Sequence, residues 1–373
     1  MNETAIVGVG GTRMERRPDR SLGALALDAA LQAIEDAGLT PADIDGYAGT
    51  PPGVNLTAHH WDGVDEISGT YVVNGLDLKN VRWIIDSTKG LTCDAVVEAA
   101  NALIAGTVNY VLIVRGMYVP TNVRYAEQGL AEAGGAVQFM APYGAASGIL
   151  RAAFELQSYM HATGATKADL YQVAKTLRDH ALLNPLAYWY GKKPLSEEEY
   201  LSARMIFEPM CLFDCDIPTT GAGAVVMTTA DRARHLRHKP AYVRAYATAV
   251  EGYKRVWPKS GLGPRDVQVA QVYDGFLPFF WEWLETLEFC APGEAYKFTR
   301  DGNITFGGTL PCTTFGGSIG EGRLHGMGHL REGALQVMGR AGPSQVANVE
   351  HCLVMMGSKR VPGAAIMLDA AHD

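Results

Sequence analysis

The chain has 373 residues, 47% of them hydrophobic, and a formal net charge of -8 from 32 basic and 40 acidic side chains. That length and apolar share suit one large or two medium globular units with a substantial core. Lysines and arginines are scattered rather than gathered in a stripe, which argues against nucleic acid as a partner, and no apolar run approaches bilayer length, which argues against a membrane span.

The opening MNETAIVGVGG reads as a strand entering a turn, not as a basic and apolar export signal, so a cytoplasmic protein is expected. AIVGVG predicts a buried strand, and SLGALALDAALQAIEDAG a helix with apolar positions at helical spacing and a glycine stop. Asp43 to Tyr47 predicts a short strand; VRWIID and YVLIVRG predict two more, alternating with helices as in a sheet covered by helices. HHWD at 59–62 falls on a loop that could cover a pocket mouth. Residues 86–94, DSTKGLTCD, turn from a strand into the helix AVVEAANALIAG, and a turn at a helix N-terminus is a good mount for a nucleophile.

Residues 117–150 are rich in Gly and Tyr without a clear period, as in a long excursion lining a pocket. Leu150 to Leu183 predicts two helices, and GAGAVVMTT, 221–229, a buried strand. A polar turn with Pro240 opens a new strand. There follow a strand edge at VQVAQVYDGF, the helix LPFFWEWLETLEF with aromatics expected to face the core, a glycine-rich loop, a helix and a closing strand pair. The economical reading is an α/β chain of two αβ halves, 1–238 with a loop and helical insertion at 117–215, and 239–373, each a mostly parallel sheet with helices. Cysteines stand at 93, 211, 215, 290, 312 and 352. Their wide spacing predicts reduced thiols. Cys211 and Cys215 have no second Cys or His pair at ligand spacing, so no metal site is expected.

Three stretches carry a resemblance: HALLNPLAYWYGKKPLSEEEYLSARMIFEPMCLFDCDIPTTGAGAVVMTT at 180–229, YDGF at 273–276, and TFGGSIGEGRLHGMGHLREGALQ at 314–336. In order and spacing they resemble the thiolase superfamily, in its sterol-carrier-linked branch, over almost the whole length. The resemblance implies a thiolase-like fold of five layers, αβαβα, and a homodimer. Thiolases carry an acyl-accepting Cys at the elbow before a helix; that position falls on about Lys89, with Cys93 about one turn further in. The second family Cys has no counterpart in MMGSKRVPG, and the family His falls on Arg323.

A thiolase frame without its thiolate is similar to the thiolase-like aldolases of steroid side-chain breakdown, which cleave a β-hydroxyacyl-CoA to a ketone and a shortened acyl-CoA such as propionyl-CoA. The resemblance implies no cofactor, the CoA thioester being the substrate. It also implies a partner subunit, a small OB-fold protein with a zinc ribbon, in which any zinc would lie. Two tyrosines carry the proton transfers in those enzymes; Tyr273 matches one, and Arg323 stands where the other is found.

Retro-aldol cleavage needs a base for the β-hydroxyl proton, donors at the thioester oxygen, and an acid for the new carbanion. The catalytic candidates are Tyr273, Arg323 and His325. Lys89, Asp274, Gly316, Gly317 and Gly357 are candidates for substrate or CoA binding, with Asp274 expected to fix the geometry of its loop. Tyr273 can act as base only if its pKa, ordinarily about 10, is lowered, which a guanidinium within about 4–6 Å would do. Arg323 is the expected source, its alternative partners being Glu321 and Asp274. His325 and His329, four residues apart at a helix start, are expected to share a face. The competing functions are an acyltransferase using Cys93 or Cys312, and a non-catalytic acyl-CoA or sterol-binding subunit.

Overall fold

In strand β1 (Thr4–Gly11), Ala5 and Val7 enter one core while Ile6 enters another, the period of two that a strand buried on both faces must show. The same alternation runs through β4 (Tyr110–Met117) and β7 (Gly221–Thr229): Leu112, Val114, Ala224 and Val226 go to one side, Val111, Ile113, Val225 and Met227 to the other. The computed structural model describes residues 3–49, 67–87, 92–118, 138–139, 142, 148–358 and 361–372.

The other strands are β2 (Gly46–Gly49), β3 (Trp83–Asp86), β5 (Met205–Phe207), β6 (Met210–Cys211), β8 (Ala241–Thr248), β9 (Val269–Gln271), β10 (His351–Ser358) and β11 (Val361–Asp369). Among the described residues, nine of the eleven strands form one hydrogen-bonded sheet in the order β3-β2-β4-β7-β1-β8-β11-β10-β9, and β5 and β6 make a small separate pair. The seam between the halves is β1 on β8, with Thr4 opposite Val243 and Ile6 opposite Ala241.

The alternation stacks five layers. The Leu22–Asp36 helix covers Ala5, Val7, Leu112 and Val226 on the outside of the first half. In the middle, the Thr92–Ile104 and Met327–Met338 helices lie between Ile6, Ile113 and Val225 on one side and Val354, Met356, Ile366 and Leu368 on the other. On the far side Leu353, Met355, Ala365 and Met367 pack with the Gly148–Thr163, Lys167–Ala181 and Leu277–Thr286 helices. The outer layer over the second set of strands therefore comes partly from chain that precedes residue 238.

The sheet is mixed, not mostly parallel as the sequence suggested. β2 runs parallel to β3 and β4, and β9 parallel to β10; every other neighbouring pair is antiparallel. β10 and β11 are too close in sequence for a crossover, and β7 enters between β4 and β1 against both. The short strand expected at Asp43 starts only at Gly46. Pro41–Asp43 is a 3₁₀ turn in which the Asp43 carboxylate accepts from Thr40 N and Oγ1, each at 2.8 Å. The two helices expected between 150 and 183, the strand at 221–229 and the aromatic helix at 277 are all present, the last with Phe280, Trp281 and Trp283 buried. HHWD and most of 117–147 lie outside the described residues. Among the described residues no helix is long and apolar enough to cross a membrane.

Two glycines set the spacing of the first helix on β1. A Cβ on Gly10 would lie 2.1 Å from Ala29 O, and one on Gly8 2.1 Å from Ala33 O. Gly10→Ala should therefore push the helix off the strand and lower stability by about 1–3 kcal/mol, read as a clear fall in the thermal midpoint; an unchanged midpoint would contradict this close packing.

Candidate active site

Asp274 organises the site. Its fully buried carboxylate accepts from Ser318 N at 2.8 Å and Ile319 N at 3.0 Å, and lies 2.9 Å from His329 Nε2. It thereby ties the loop after β9 to the first turn of the glycine-rich loop and to the Met327–Met338 helix. Gly317 is glycine because of it: φ is +68° and a Cβ would sit 2.2 Å from Asp274 Oδ2. Gly316, at φ +100°, abuts Ala181, 2.5 Å from that residue's Cβ to where its own would be.

A third segment is pinned to this frame. Asp216 N donates to Gly275 O at 3.3 Å, Ile217 N donates to Ser318 O at 3.4 Å, and Cys215 bridges to Phe276. Asp216 is thus held between the two loops. Its Oδ2 is 3.3 Å from Arg323 Nε, while Oδ1 is buried without a hydrogen-bond partner in the described structure. Tyr273 is buried too, with Gly275 so close to its ring that a Cβ there would stand 2.8 Å from the phenol oxygen.

Arg115, 1% exposed on β4, supplies a second guanidinium. Its Nη2 lies 3.0 Å from Met117 Sδ and 2.7 Å from His325 Nδ1. A guanidinium can only donate, so Nδ1 accepts and the neutral ring carries its proton on Nε2. His325 sits at φ +48°, and its carbonyl accepts from Thr92 N at 3.1 Å. The loop bearing Arg323 and His325 therefore lands on the first turn of the helix that follows the elbow.

Burial pushes the Tyr273 phenol well above its ordinary range, and the charge of Asp216 adds to this; Arg323 and Arg115 pull the other way and are outweighed. Burial pushes Asp216 up to about 6 against the pull of Arg323. Arg115 is brought down to about 9, first by burial and then by the like charge of Arg323. The cluster can donate a proton from a phenol, accept one on a carboxylate, and offset negative charge with two guanidiniums.

Several expectations change. Arg323 pairs with Asp216 and not with Glu321, which is 3.3 Å from Arg331, nor with Asp274. Its charge acts on Tyr273 in the expected direction, but desolvation raises the phenol by more than the guanidiniums lower it. Asp274 is fully engaged with the protein, and it was the loop-fixing alternative that described it. Gly316 and Gly317 serve the same turn. Gly357, at φ +92°, accepts from Trp283 Nε1 through its carbonyl at 2.7 Å. His325 and His329 do not share a face: His325 precedes the helix in a left-handed conformation and meets Arg115, while His329 meets Asp274. Lys89 lies outside the described residues. Among those described no group of His, Cys, Asp or Glu could hold a metal ion.

Cys93 is fully buried in the middle layer, and burial pushes its thiol far up; Cys312 is likewise buried, shifted up by burial, with Sγ 3.1 Å from Leu310 O. Neither presents a thiolate. The sequence reading missed Asp216 and Arg115. A lone Arg in the apolar run YVLIVRGM was a signal, since a charge in a buried strand must be paired. In FDCD, Asp214 is taken by Lys167 at 3.1 Å and Cys211 N at 2.7 Å; Asp216, two residues on, turns instead to Arg323.

Residues 229–362 match the family described as Thiolase C-terminal domain-like. The chain is 35% identical to the 17-hydroxy-3-oxo-4-pregnene-20-carboxyl-CoA lyase of Mycobacterium tuberculosis, covering 98% of this chain and 99% of that protein. It is 33% identical to the steroid side-chain-cleaving aldolase of Thermomonospora curvata, with 98% and 97% covered. Among solved structures, that of the Ltp2-ChsH2(DUF35) aldolase superposes with a TM-score of 0.86 at 32% identity over 99% of this chain and 98% of the other.

Two outcomes follow from the geometry. Asp274→Ala leaves three donors facing a void and should cost about 3 kcal/mol or more, seen as a large fall in thermal midpoint; near-wild-type stability would refute its organising role. Iodoacetamide on the native protein should leave activity intact and label at most the half-buried Cys290, whereas loss of activity with label on Cys93 or Cys312 would restore the acyltransferase reading.

Proposed function

The chain belongs to the thiolase-like steroid side-chain-cleaving aldolases, and on that footing we propose that it cleaves a β-hydroxyacyl-CoA by retro-aldol chemistry into a ketone and a shortened acyl-CoA such as propionyl-CoA. The observation that carries the reading is chemical: at the end of the elbow helix stand a buried phenol, two guanidiniums and a carboxylate, and the thiols of the described chain lie buried in the core or away from this cluster. Such a set moves protons and steadies an enolate; it does not form a thioester.

In this reading the Cα–Cβ bond breaks as the β-hydroxyl loses its proton, and the electron pair moves onto the thioester as an enolate. The neutral His325 ring offers its Nε2 proton to the thioester oxygen, and Arg115 fixes that tautomer. Tyr273 supplies the proton to the enolate carbon, and the phenolate left behind is offset by Arg323 and Arg115, whose charges favour that form. The substrate is a bulky one, a steroid or similar side chain, as the names of the relatives suggest. A partner subunit, in this reading of the OB-fold and zinc-ribbon kind, fits the structural neighbour, whose name joins Ltp2 with ChsH2(DUF35). A homodimer fits β3, an edge strand with Ile84 46% exposed.

With the partner co-purified, a panel of β-hydroxyacyl-CoA thioesters should include at least one that yields ketone and shortened acyl-CoA in equal amounts. Tyr273→Phe should reduce kcat by about 10²–10⁴-fold while acyl-CoA binding, measured by titration calorimetry, persists. A Phe variant as fast as the parent would remove Tyr273 from the reaction.

A further inference from the structure

Burial pushes the Tyr273 phenol well above its ordinary range, which suits it to give a proton and leaves the base of the retro-aldol step to another group. We propose that Asp216 is that proton acceptor and that Arg323 is the residue that positions it, an inference that rests on the retro-aldol reading above. Asp216 is 4% exposed, anchored through Oδ2 to Arg323 Nε at 3.3 Å, and held by its backbone on Gly275 O. Its other oxygen, Oδ1, is buried with no hydrogen-bond partner in the described structure. The contrast with Asp274 is direct: that carboxylate, in the same site, has both oxygens filled by Ser318 N, Ile319 N and His329 Nε2. A buried oxygen left without a donor is costly, and sites keep such groups where a ligand completes them.

The charged and titratable groups around Asp216 and Tyr273 come from four elements. Arg323 of the glycine loop favours its ionised form; Asp274 of the loop after β9, backed by His329, disfavours it, as does burial. Tyr273 of that same loop feels the carboxylate as the largest charge raising its own pKa, and Arg115 of β4 acts on the phenol in the opposite direction. With its pKa pushed up to about 6, Asp216 is ionised at neutral pH yet more basic than an ordinary carboxylate.

The protons balance. The β-hydroxyl proton passes to Asp216 Oδ1 as the C–O bond becomes the ketone carbonyl and the Cα–Cβ electron pair enters the thioester enolate. The enolate carbon takes the Tyr273 proton, leaving a phenolate beside a protonated Asp216. That proton returns to the phenolate and restores both groups, so the cycle needs no external acid or base.

The test is the pH dependence of kcat/KM for the chain with its co-purified partner and a β-hydroxyacyl-CoA that it cleaves. The parent should show an acid limb near pH 6, activity being lost as pH falls through the Asp216 pKa. Asp216→Asn should lose at least about 100-fold in kcat with KM within a few-fold, and the residual activity should lack the limb. Should that variant not fold, Arg323→Gln carries the test: removing the positive charge raises the Asp216 pKa, so the limb should move up by about one unit or more. An Asn variant with parental rate and limb, or a Gln variant whose limb stays in place, overturns the role of Asp216 while leaving the retro-aldol reading intact. A parent protein that cleaves no β-hydroxyacyl-CoA defeats that reading itself, and this inference with it.

Discussion

The Arg323–Asp216 pair, 3.3 Å apart and almost removed from water, is the interaction on which this site depends. Taking two charges out of water is expensive, and a pair is retained in the interior only when its geometry and its surroundings compensate. Here the backbone supplies the geometry, since Asp216 is bonded to the loop after β9 and its neighbour Ile217 to the glycine turn. Asp274 holds those two loops together and so sets where the pair can meet. The phenol of Tyr273 then inherits its protonation state from this arrangement: desolvation and one negative charge outweigh two guanidiniums.

A five-layer fold makes such a cluster possible. Because β1 hydrogen-bonds to β8, both sets of strands belong to one sheet wrapped over a middle layer of two helices. The N-terminus of one of those helices, Thr92–Ile104, receives the carbonyl of His325 from the loop that precedes the other. The first turn of that helix and the glycine loop thus meet in the interior, where desolvation is strong enough to move a carboxyl to about 6 and an arginine to about 9.

Much of the frame was legible in the sequence, because strict alternation and helical spacing write themselves locally. GAGAVVMTT and LPFFWEWLET fold as read, and the aromatics of the latter do face the core. Strand direction was less legible, since a continuous apolar run looks alike in parallel and antiparallel company; the mixed order became visible only with β7 seated between β4 and β1. The site was half legible. Tyr273 and Arg323 could be singled out by their place in recurring motifs, but their mutual electrostatics depend on Asp216, which is distant in sequence from both. His325 and His329 were misjudged because a left-handed residue at 325 breaks the helical phase that spacing alone assumes.

The central claim is that carbon–carbon cleavage here proceeds through proton transfers alone, with no acyl group ever bonded to the protein. Intact-protein mass spectrometry of the chain, acid-quenched during steady turnover of a β-hydroxyacyl-CoA, addresses that claim most directly. The account predicts a single species at the unmodified mass of the polypeptide at every quench time. A population heavier by the mass of an acyl fragment, mapped to any cysteine and decaying as product forms, would contradict it.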